Sequence, residues 1–289
     1  MKIAALPYTC ERFPGWVAQE KKLDRLIAES AADLVVLPEY AALEAAMVGN
    51  TPALTPIEWR DLGAERAGAW IDQIINMARK HGCHILAGSG PVKTDKGYVN
   101  RATLVSPTGA VAHQDKMILT PYERNEMAMI PGDGVTLFDT ALGRIGVLIC
   151  YDSEFPLLAR EMVEAGAEMI LVPSCTDLPA GQTRVRQSCR ARAIEGQCLI
   201  VQVPLVGPAP GCEVIDGSTG RAGIFCPPDY GLPSDGILMQ GDTDAPVPVV
   251  LEVDTAAIAA PRGQGQVGNF AHWPEQSGYT GKLSVTPLG

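Results

Sequence analysis

Several features that would place a protein in a special class are scarce or missing from this sequence. Positive charge is in deficit, because 23 Lys and Arg stand against 33 Asp and Glu and give a formal net charge of −10. Nucleic-acid binders concentrate positive charge to displace counterions from phosphates, so the composition argues against that role. No apolar run approaches the roughly 18 residues of a membrane helix, and the first residues lack a signal-peptide pattern. We therefore expect a cytoplasmic protein that binds neither nucleic acid nor membranes.

Patterns for metals and dinucleotides are also weak. The eight cysteines contain no Cys-x-x-Cys pair, which argues against a zinc ribbon or a thioredoxin-type site. His81, Cys83 and His84 are metal-binding residue types, but they span a predicted helix end and strand start, and few further ligands are present. Residues 263–268 match a Gly-x-Gly-x-x-Gly pattern, but no strand precedes them. We expect neither a metal ion nor a cofactor.

Short apolar runs alternate with helical patterns along the chain. Residues 34–37 are typical of a strand buried on both faces, and residues 64–80 carry apolar side chains at helical spacing. Residues 99–113 and 136–149 each predict an antiparallel hairpin. With no repeat and no low-complexity linker, the pattern predicts one α/β domain over residues 1–289, with helices outside mixed sheets. Its core is expected to end near residue 260, and residues 261–289 predict an extended tail, a candidate for a subunit interface.

Polar side chains follow three of the apolar runs, at the strand ends where α/β sheets bind ligands. Glu39 follows residues 34–38, Lys116 follows the strand near residue 115, and Cys150 follows residues 146–149. Taken singly, each has a structural interpretation: a carboxylate at a helix start, a surface lysine and a buried inert thiol. Together they supply the nucleophile, the base and the positive charge that amide hydrolysis through an acyl-enzyme requires.

Cys150 precedes a predicted helix. The helix N-terminus and the lysine are expected to lower the pKa of its thiol and produce a thiolate. A Cys150–His113 dyad is the alternative arrangement, and it would leave Glu39 and Lys116 without a role.

Three segments, residues 34–40, 113–119 and 146–156, resemble the catalytic motifs of the nitrilase superfamily of carbon–nitrogen hydrolases. They occur in the family's order, and the resemblance extends from the first strand to residue 254. It implies a four-layer α-β-β-α sandwich and a homodimer or larger homo-oligomer.

The resemblance also implies a Glu–Lys–Cys triad. Cys150 would attack the carbonyl carbon, Glu39 would act as the general base, and Lys116 with the backbone N–H of Tyr151 would stabilise the oxyanion. A second glutamate often follows the lysine motif. Glu123 matches it seven residues after Lys116, and Glu126 is the alternative.

The residues after the nucleophile bear on the substrate. True nitrilases usually have Trp-Glu where this chain has Tyr151-Asp152, which favours a small amide over a nitrile. Amidases for dicarboxylic-acid monoamides typically have arginine where this chain has Glu154. If Glu154 faces the pocket, it repels a substrate carboxylate and tolerates a neutral or amine-bearing group; otherwise it interacts with the start of the next helix. The substrate-binding candidates are Tyr40, Tyr122, Glu154, Phe155, Ser174, Cys175 and Thr176.

We therefore predict a cofactor-free amidase. Nitrile hydrolysis, acyl transfer to an amine and non-catalytic small-molecule binding are the alternatives. Four arginines on one predicted helix are expected to form a solvated or subunit-interface face, with carboxylate recognition as the alternative. They are Arg184, Arg186, Arg190 and Arg192.

Overall fold

Two six-stranded sheets form the centre of the protein, whose computed structural model describes residues 1–288. The strands are β1 (Lys2–Ala5), β2 (Leu34–Val36), β3 (His84–Lys93), β4 (Tyr98–Val105), β5 (Val111–Asp115), β6 (Leu137–Thr140), β7 (Gly143–Val147), β8 (Met169–Ser174), β9 (Leu199–Pro204), β10 (Gly223–Phe225), β11 (Ile237–Gln240) and β12 (Val249–Glu252). The first sheet has the order β12-β1-β2-β3-β4-β5, and the second has the order β11-β10-β9-β8-β7-β6. Both predicted hairpins, β4–β5 and β6–β7, are confirmed as antiparallel pairs.

Eight α-helices connect or flank these strands in the described part of the chain. They are α1 (Trp16–Ser30), α2 (Pro56–His81), α3 (Pro121–Asn125), α4 (Pro156–Glu164), α5 (Pro179–Gly196), α6 (Thr255–Ala259), α7 (Pro261–Gln264) and α8 (Asn269–His272). Helix α2 begins at Pro56 rather than at the predicted residue 64, because Thr55 and Glu58 form a capping box around that proline. Its last residue is His81, and Gly82, with a φ of 65°, forms the left-handed C-cap.

The two faces of the first sheet bury different sets of apolar side chains. Ile3, Leu34 and Val36 point towards the second sheet and share a core with Val147 and Leu171. The alternate residues, such as Ala4, Val35 and Leu37, pack instead with α1 and α2. Because helices α4 and α5 contribute to the core on the second sheet, the order of layers is helix, sheet, sheet, helix. The predicted α-β-β-α sandwich is confirmed.

The direction of the strands brings several strand ends to the same edge. In the first sheet β2 runs parallel to β3, and β5 also runs parallel to β3 because both are antiparallel to β4. In the second sheet β7 and β8 are parallel. The residues that follow β2 and β5 therefore lie at one edge, and those that follow β7 and β8 lie at the corresponding edge of the other sheet.

Gly88 allows β3 to pass close to the chain segment that carries Glu39. Its φ is +69°, and a Cβ at this position would collide with the carbonyl oxygen of Pro38. The adjacent Ser89 then binds the same segment, because its N–H donates to Pro38 O at 3.2 Å and its hydroxyl accepts from Tyr40 N at 3.3 Å. A residue without a side chain thus helps to position the turn after β2.

The C-terminal tail differs from its prediction. Residues 261–278 contain α7, α8 and a 3₁₀ segment, so the expectation of an extended conformation is wrong there. These elements are too short to show periodicity in the sequence, and contacts with the body of the domain stabilise them. Arg262 Nε donates to Gln197 O at 3.0 Å, and Arg160 Nη2 donates to Phe270 O at 3.2 Å. The role of the tail in a subunit interface stays a prediction.

A search for membrane-spanning helices among residues 1–288 finds none with the required length and hydrophobicity.

Candidate active site

A buried lysine lies between two carboxylates where the chain leaves β2 and β5. Lys116 Nζ is 2.8 Å from Glu39 Oε1 and 2.7 Å from Glu123 Oε2, and the three side chains are at most 3% exposed. Burial alone would lower the pKa of Lys116, but the carboxylates of Glu123 and Glu39 raise it well above its ordinary value. The lysine is therefore a fixed positive charge in a site with little water.

Asn100 forms hydrogen bonds with both carboxylates. Its Nδ2 donates to Oε1 of Glu39 and to Oε1 of Glu123, both at 3.0 Å, and its main-chain oxygen accepts from Lys116 N at 2.9 Å. Asn100 is not among the residues predicted from the sequence, because it lies near the start of an antiparallel strand and the prediction rests on residues that follow strand ends. Its one sequence signal is a polar residue within a buried strand.

Glu123 also organises the helix that carries it. With Thr120 it forms a capping box at the start of α3, in which its Oε2 accepts from Thr120 N at 2.9 Å. Its Oε1 accepts from the Tyr40 hydroxyl at 2.8 Å. Burial opposes ionisation, but Lys116 and these donors outweigh it and lower the pKa of Glu123. The alternative residue, Glu126, is the exposed C-cap of α3 and does not contact Lys116.

Cys150 begins a 3₁₀ turn, Cys150–Glu154, which two residues separate from the end of β7. Its backbone has a φ of +49°, a left-handed conformation that is costly for a residue with a side chain and is common at functional sites. The thiol is 4% exposed, and its Sγ is 3.5 Å from Cys175 O. Cys150 does not line the cavity described below, but its chain neighbour Tyr151 and its contact residue Cys175 do.

The predicted decrease in the pKa of Cys150 is wrong. Burial, followed by the Glu39 carboxylate, raises the pKa of the thiol well above its ordinary value, and Lys116 only partly opposes them. The segment after Cys150 is a short 3₁₀ turn, and the α-helix begins only at Pro156, so the helix dipole does not act on the sulfur as expected. The resting cysteine is a protonated thiol that needs a base.

Glu39 is suited to be that base. Its Oε2 accepts from Cys175 N at 2.8 Å, while Oε1 accepts from Lys116 and Asn100. Burial raises the pKa of Glu39 to about 7, although the neighbouring Lys116 lowers it. A carboxylate with a pKa near neutrality can both accept and return a proton at physiological pH.

Asp152 connects the two halves of the site. Its carboxylate accepts from the backbone N–H groups of Ile118 at 2.7 Å, Met117 at 3.1 Å and Ile149 at 3.2 Å. These groups belong to the segments after Lys116 and before Cys150, so one buried side chain fixes the lysine segment against the cysteine segment. Burial raises the pKa of Asp152 to about 6, and the backbone donors oppose that shift.

A cavity of about 640 Å³ opens above these groups. Glu39, Lys116 and Glu123 lie in its lining with Cys175. Of the seven residues predicted to contact substrate, four line this cavity: Tyr40, Tyr122, Glu154 and Cys175. Tyr151, whose backbone N–H is the predicted oxyanion donor, also lines it.

Three predicted substrate contacts are not in the cavity lining. Phe155 packs edge-on against Tyr151, with ring centroids 4.9 Å apart. Ser174 is buried and its hydroxyl donates to Val203 O at 3.3 Å. The Thr176 hydroxyl donates to Thr219 O at 2.7 Å. The strand-end rule located the correct turn, but alternation of side chains sends Ser174 and Thr176 away from the cavity.

Comparison with known proteins agrees with this architecture. The family model described as "Carbon-nitrogen hydrolase" matches residues 3–279. The chain belongs to the carbon–nitrogen hydrolase family. The resemblance of the three motifs to nitrilase-type hydrolases is thereby confirmed.

Individual relatives agree with that assignment. The chain is similar to the probable hydrolase YhcX of Bacillus subtilis (strain 168), with 32% identity over 266 residues, which are 90% of this chain and 50% of that protein. It is also similar to an (R)-stereoselective amidase of a Pseudomonas species, with 32% identity over 140 residues, 48% of this chain and 50% of that protein. The chain thus spans about half the length of these relatives.

The fold has a solved counterpart. A CN-hydrolase superfamily protein of Xanthomonas campestris, XC1258, superimposes with a TM-score of 0.72 at 22% identity, covering 100% of this chain and 99% of that one.

The remaining candidates of this carbon–nitrogen hydrolase have structural partners. His113, the alternative base, is an exposed residue of β5, whereas Cys150 is buried beside Glu39 and Lys116. His81 Nε2 lies 2.7 Å from Asp24 Oδ1. The α5 arginines do not form one solvated face: Arg192 Nη1 is 2.9 Å from Glu195 Oε2, and Arg190 Nη2 donates to Asp235 O at 3.0 Å.

Arg186 contacts the side chain of Gln240, and Arg184 Nε lies 3.3 Å from Glu154 Oε2. Glu154 therefore faces the cavity, but an arginine neutralises it there.

Proposed function

We propose that this chain is an amidase that hydrolyses a small carboxamide through a thioester on Cys150. One observation carries the proposal. Glu39 accepts hydrogen bonds from Lys116 and from the N–H of Cys175, and the carbonyl of Cys175 accepts from the Cys150 thiol. The proposed base and the cation line one cavity with Cys175, and the thiol contacts the main chain of that same residue. This proximity supports acyl transfer, which needs a nucleophile, a base and a positive charge close together.

In the proposed reaction Glu39 takes the proton from the Cys150 thiol as the sulfur attacks the carbonyl carbon. The carbonyl oxygen becomes an oxyanion, which the Lys116 ammonium and the backbone N–H of Tyr151 stabilise. Glu39 then gives the proton to the leaving nitrogen, so that the C–N bond breaks and ammonia departs from a thioester. A water molecule, deprotonated by Glu39, attacks the thioester and releases the carboxylic acid and the thiol.

The other members of the site have supporting roles in this proposal. Glu123 and Asn100 hold Lys116 and Glu39 in place, and Asp152 keeps the cysteine segment in register with the lysine segment. The amidase name of one relative supports an amide substrate. Nitrile hydrolysis and acyl transfer to an amine would use the same thiol, so the products decide between these reactions.

The experiment is a measurement of ammonia release across a panel of small amides, combined with intact-mass spectrometry. We expect ammonia release with at least one linear amide and, with a slowly hydrolysed amide, an acyl adduct on Cys150. The adduct should persist in Cys175→Ala and vanish in Cys150→Ala. Hydroxylamine added during turnover would report acyl transfer through a hydroxamate product.

An adduct confined to Cys175 would contradict the assigned nucleophile. Release of ammonia from nitriles but from no amide would identify a nitrilase. Absence of both turnover and adduct across the panel would support a binding protein.

A further inference from the structure

The outer part of the cavity carries an excess of negative charge. Besides Lys116, one basic side chain among residues 1–288 lines the cavity, that of Arg184. The acidic residues in the outer part of the lining are Glu154, Asp177, Glu213 and Asp216. Glu154 and Arg184 form an ion pair with each other. Asp177, Glu213 and Asp216 take part in none of the ion pairs found among residues 1–288. Their charges therefore act on whatever enters the cavity.

Two of these carboxylates are held in place by the fold. Glu213 and Asp216 lie on the segment of residues 207–218, whose ends are joined by two backbone hydrogen bonds between Gly207 and Ser218, at 2.9 and 3.2 Å. The neighbouring Cys212 and Ile215 are 0% and 2% exposed, and Ile215 N donates to Cys212 O at 3.0 Å. Cys212 and Ile215 thus anchor the segment, and the residue after each of them, Glu213 and Asp216, is exposed and lines the cavity.

The Tyr122 side chain gives an independent indication of a polar ligand. Its ring lines the same cavity, and its hydroxyl is buried without a hydrogen-bond partner in the part of the chain that the structure describes. Burial, together with the charges of Glu213 and Asp216, raises the pKa of Tyr122 to about 12, so the hydroxyl keeps its proton. A buried hydroxyl without a partner costs free energy, which a ligand group would recover.

We propose that Glu213 and Asp216, together with the Tyr122 hydroxyl, form a subsite for a cationic group. The amide substrate would then carry an ammonium or guanidinium group at the end away from the bond that is cleaved. Complementary charge favours such a ligand, while a substrate carboxylate would be repelled. This inference rests on the proposed amidase function and names its substrate class. It also revises the expectation for Glu154. Because Arg184 pairs with that residue, the segment of residues 207–218 and not Glu154 is proposed to distinguish cationic from anionic substrates.

Three linear amides of matched length test the subsite: δ-aminovaleramide, δ-hydroxyvaleramide and glutaramate, which end in ammonium, hydroxyl and carboxylate. We expect kcat/KM to decrease in that order. In the double variant Glu213→Gln/Asp216→Asn, the preference for the ammonium over the hydroxyl amide should decrease about tenfold, mainly through KM. High salt should reduce the preference of the wild type in the same direction.

A matched control removes equal charge elsewhere. Glu20 and Glu65 are exposed residues of α1 and α2 outside the cavity lining, so Glu20→Gln/Glu65→Gln should retain the wild-type preference. Equal kcat/KM for the ammonium and hydroxyl amides, a preference for glutaramate, or an unchanged preference in the Glu213/Asp216 variant would each overturn the subsite.

Calorimetric binding of δ-aminovaleramide to Cys150→Ala separates the two proposals. Binding that the additional substitutions Glu213→Gln/Asp216→Asn weaken supports the subsite, even if no amide is turned over by the wild type. In that case only the amidase function would be overturned.

Discussion

Two buried Glu–Lys clusters contain glutamates that are near each other in the sequence, Glu39 and Glu44, but only the cluster of Glu39 contributes to the lining of the cavity. In the first, Glu39 pairs with Lys116 beside Cys150. In the second, Glu44 Oε1 is 2.7 Å from Lys22 Nζ, and its other oxygen accepts from the Tyr8 hydroxyl. The charges of Glu44 and Lys22 also act on the pKa of the nearby Cys10 thiol. Both clusters therefore contain a glutamate, a lysine and a cysteine, and both carboxylates are nearly inaccessible to solvent.

The difference between the clusters lies in access and backbone geometry. Neither Glu44 nor Lys22 nor Cys10 lines the cavity. Lys22 is also shared with Glu11 and with the Thr9 carbonyl, and it lies 4.0 Å from the centre of the Tyr8 ring. By contrast, Glu39 and Lys116 line the cavity, and so do Tyr151 and Cys175, the residues next to and in contact with Cys150. Cys150 also has a strained left-handed backbone. The comparison teaches that an active site needs an entrance and an oriented nucleophile, and that residue types alone do not make one.

The largest expected effect separates the two cysteines. Cys150→Ala should decrease amide turnover by at least about 10⁴-fold, because it removes the proposed nucleophile. Cys10→Ala should retain turnover and lose about 1 kcal/mol of unfolding free energy, because it leaves a small cavity in a core. Ammonia release and thermal melting of both variants provide the measurement. Full activity in Cys150→Ala would contradict the assigned mechanism.

The two glutamates should separate catalysis from stability. Glu39→Gln should decrease kcat about 10³-fold, because an amide cannot accept the thiol proton. Glu44→Gln should instead cost about 3 kcal/mol of unfolding free energy, because it breaks a buried ion pair and leaves Lys22 less compensated. Urea unfolding and kcat of the folded fraction should be measured for both. Similar losses of kcat in the two variants would show that the cluster of Glu44, Lys22 and Cys10 also affects catalysis.

The pH dependence should reflect the cluster at the cavity. Burial raises the pKa of Glu39 to about 7, and the proposed base must be ionised to accept a proton. The value of kcat/KM should therefore decrease as pH falls through about 7, approaching a tenfold decrease per pH unit below it. The residual activity of Glu39→Gln should lack this limb. A flat profile from pH 5 to 8 in the wild type would contradict the role of Glu39 as a base.

The smallest expected effect concerns Asp152, which links the lysine segment to the cysteine segment and has no counterpart in the cluster of Glu44, Lys22 and Cys10. Asp152→Asn keeps the shape of the side chain but weakens its hydrogen bonds to Met117, Ile118 and Ile149. We expect kcat to decrease about tenfold with KM nearly unchanged, because the nucleophile and the lysine are then less well aligned. A purely structural role would lower the melting temperature without changing kcat of the folded enzyme. Asp139→Asn, on exposed β6, is the matched control.

Part of this arrangement could be predicted from the sequence by physical reasoning. Glu39 and Cys150 follow the buried apolar runs that include β2 and the end of β7, and Lys116 directly follows β5. Strands that run in the same direction bring such positions to one edge. The four layers follow from alternating apolar runs and amphipathic helices. The direction of the Cys150 pKa shift could not be predicted, because it depends on burial and on a carboxylate distant in sequence.

Other residues depend on pairing and on loops. Asn100 reaches the site only through the register of β4 against β5, in which Arg101 lies opposite Asp115. Glu213 and Asp216 lie in a segment without periodicity, and only the tertiary fold brings them to the cavity wall. Short-range sequence patterns contain no information about which distant residues the tertiary fold brings to the cavity.

The peptide groups of Cys175, and not its thiol, hold the base and the nucleophile together. Its N–H donates to Glu39 and its carbonyl accepts from Cys150. During evolution the side chain at this position can therefore change to alanine or serine without loss of either contact. Proline is the one common residue that would remove the donor. A family alignment judged by residue identity would overlook position 175, whereas an insertion or deletion in this turn should abolish the proposed amidase activity.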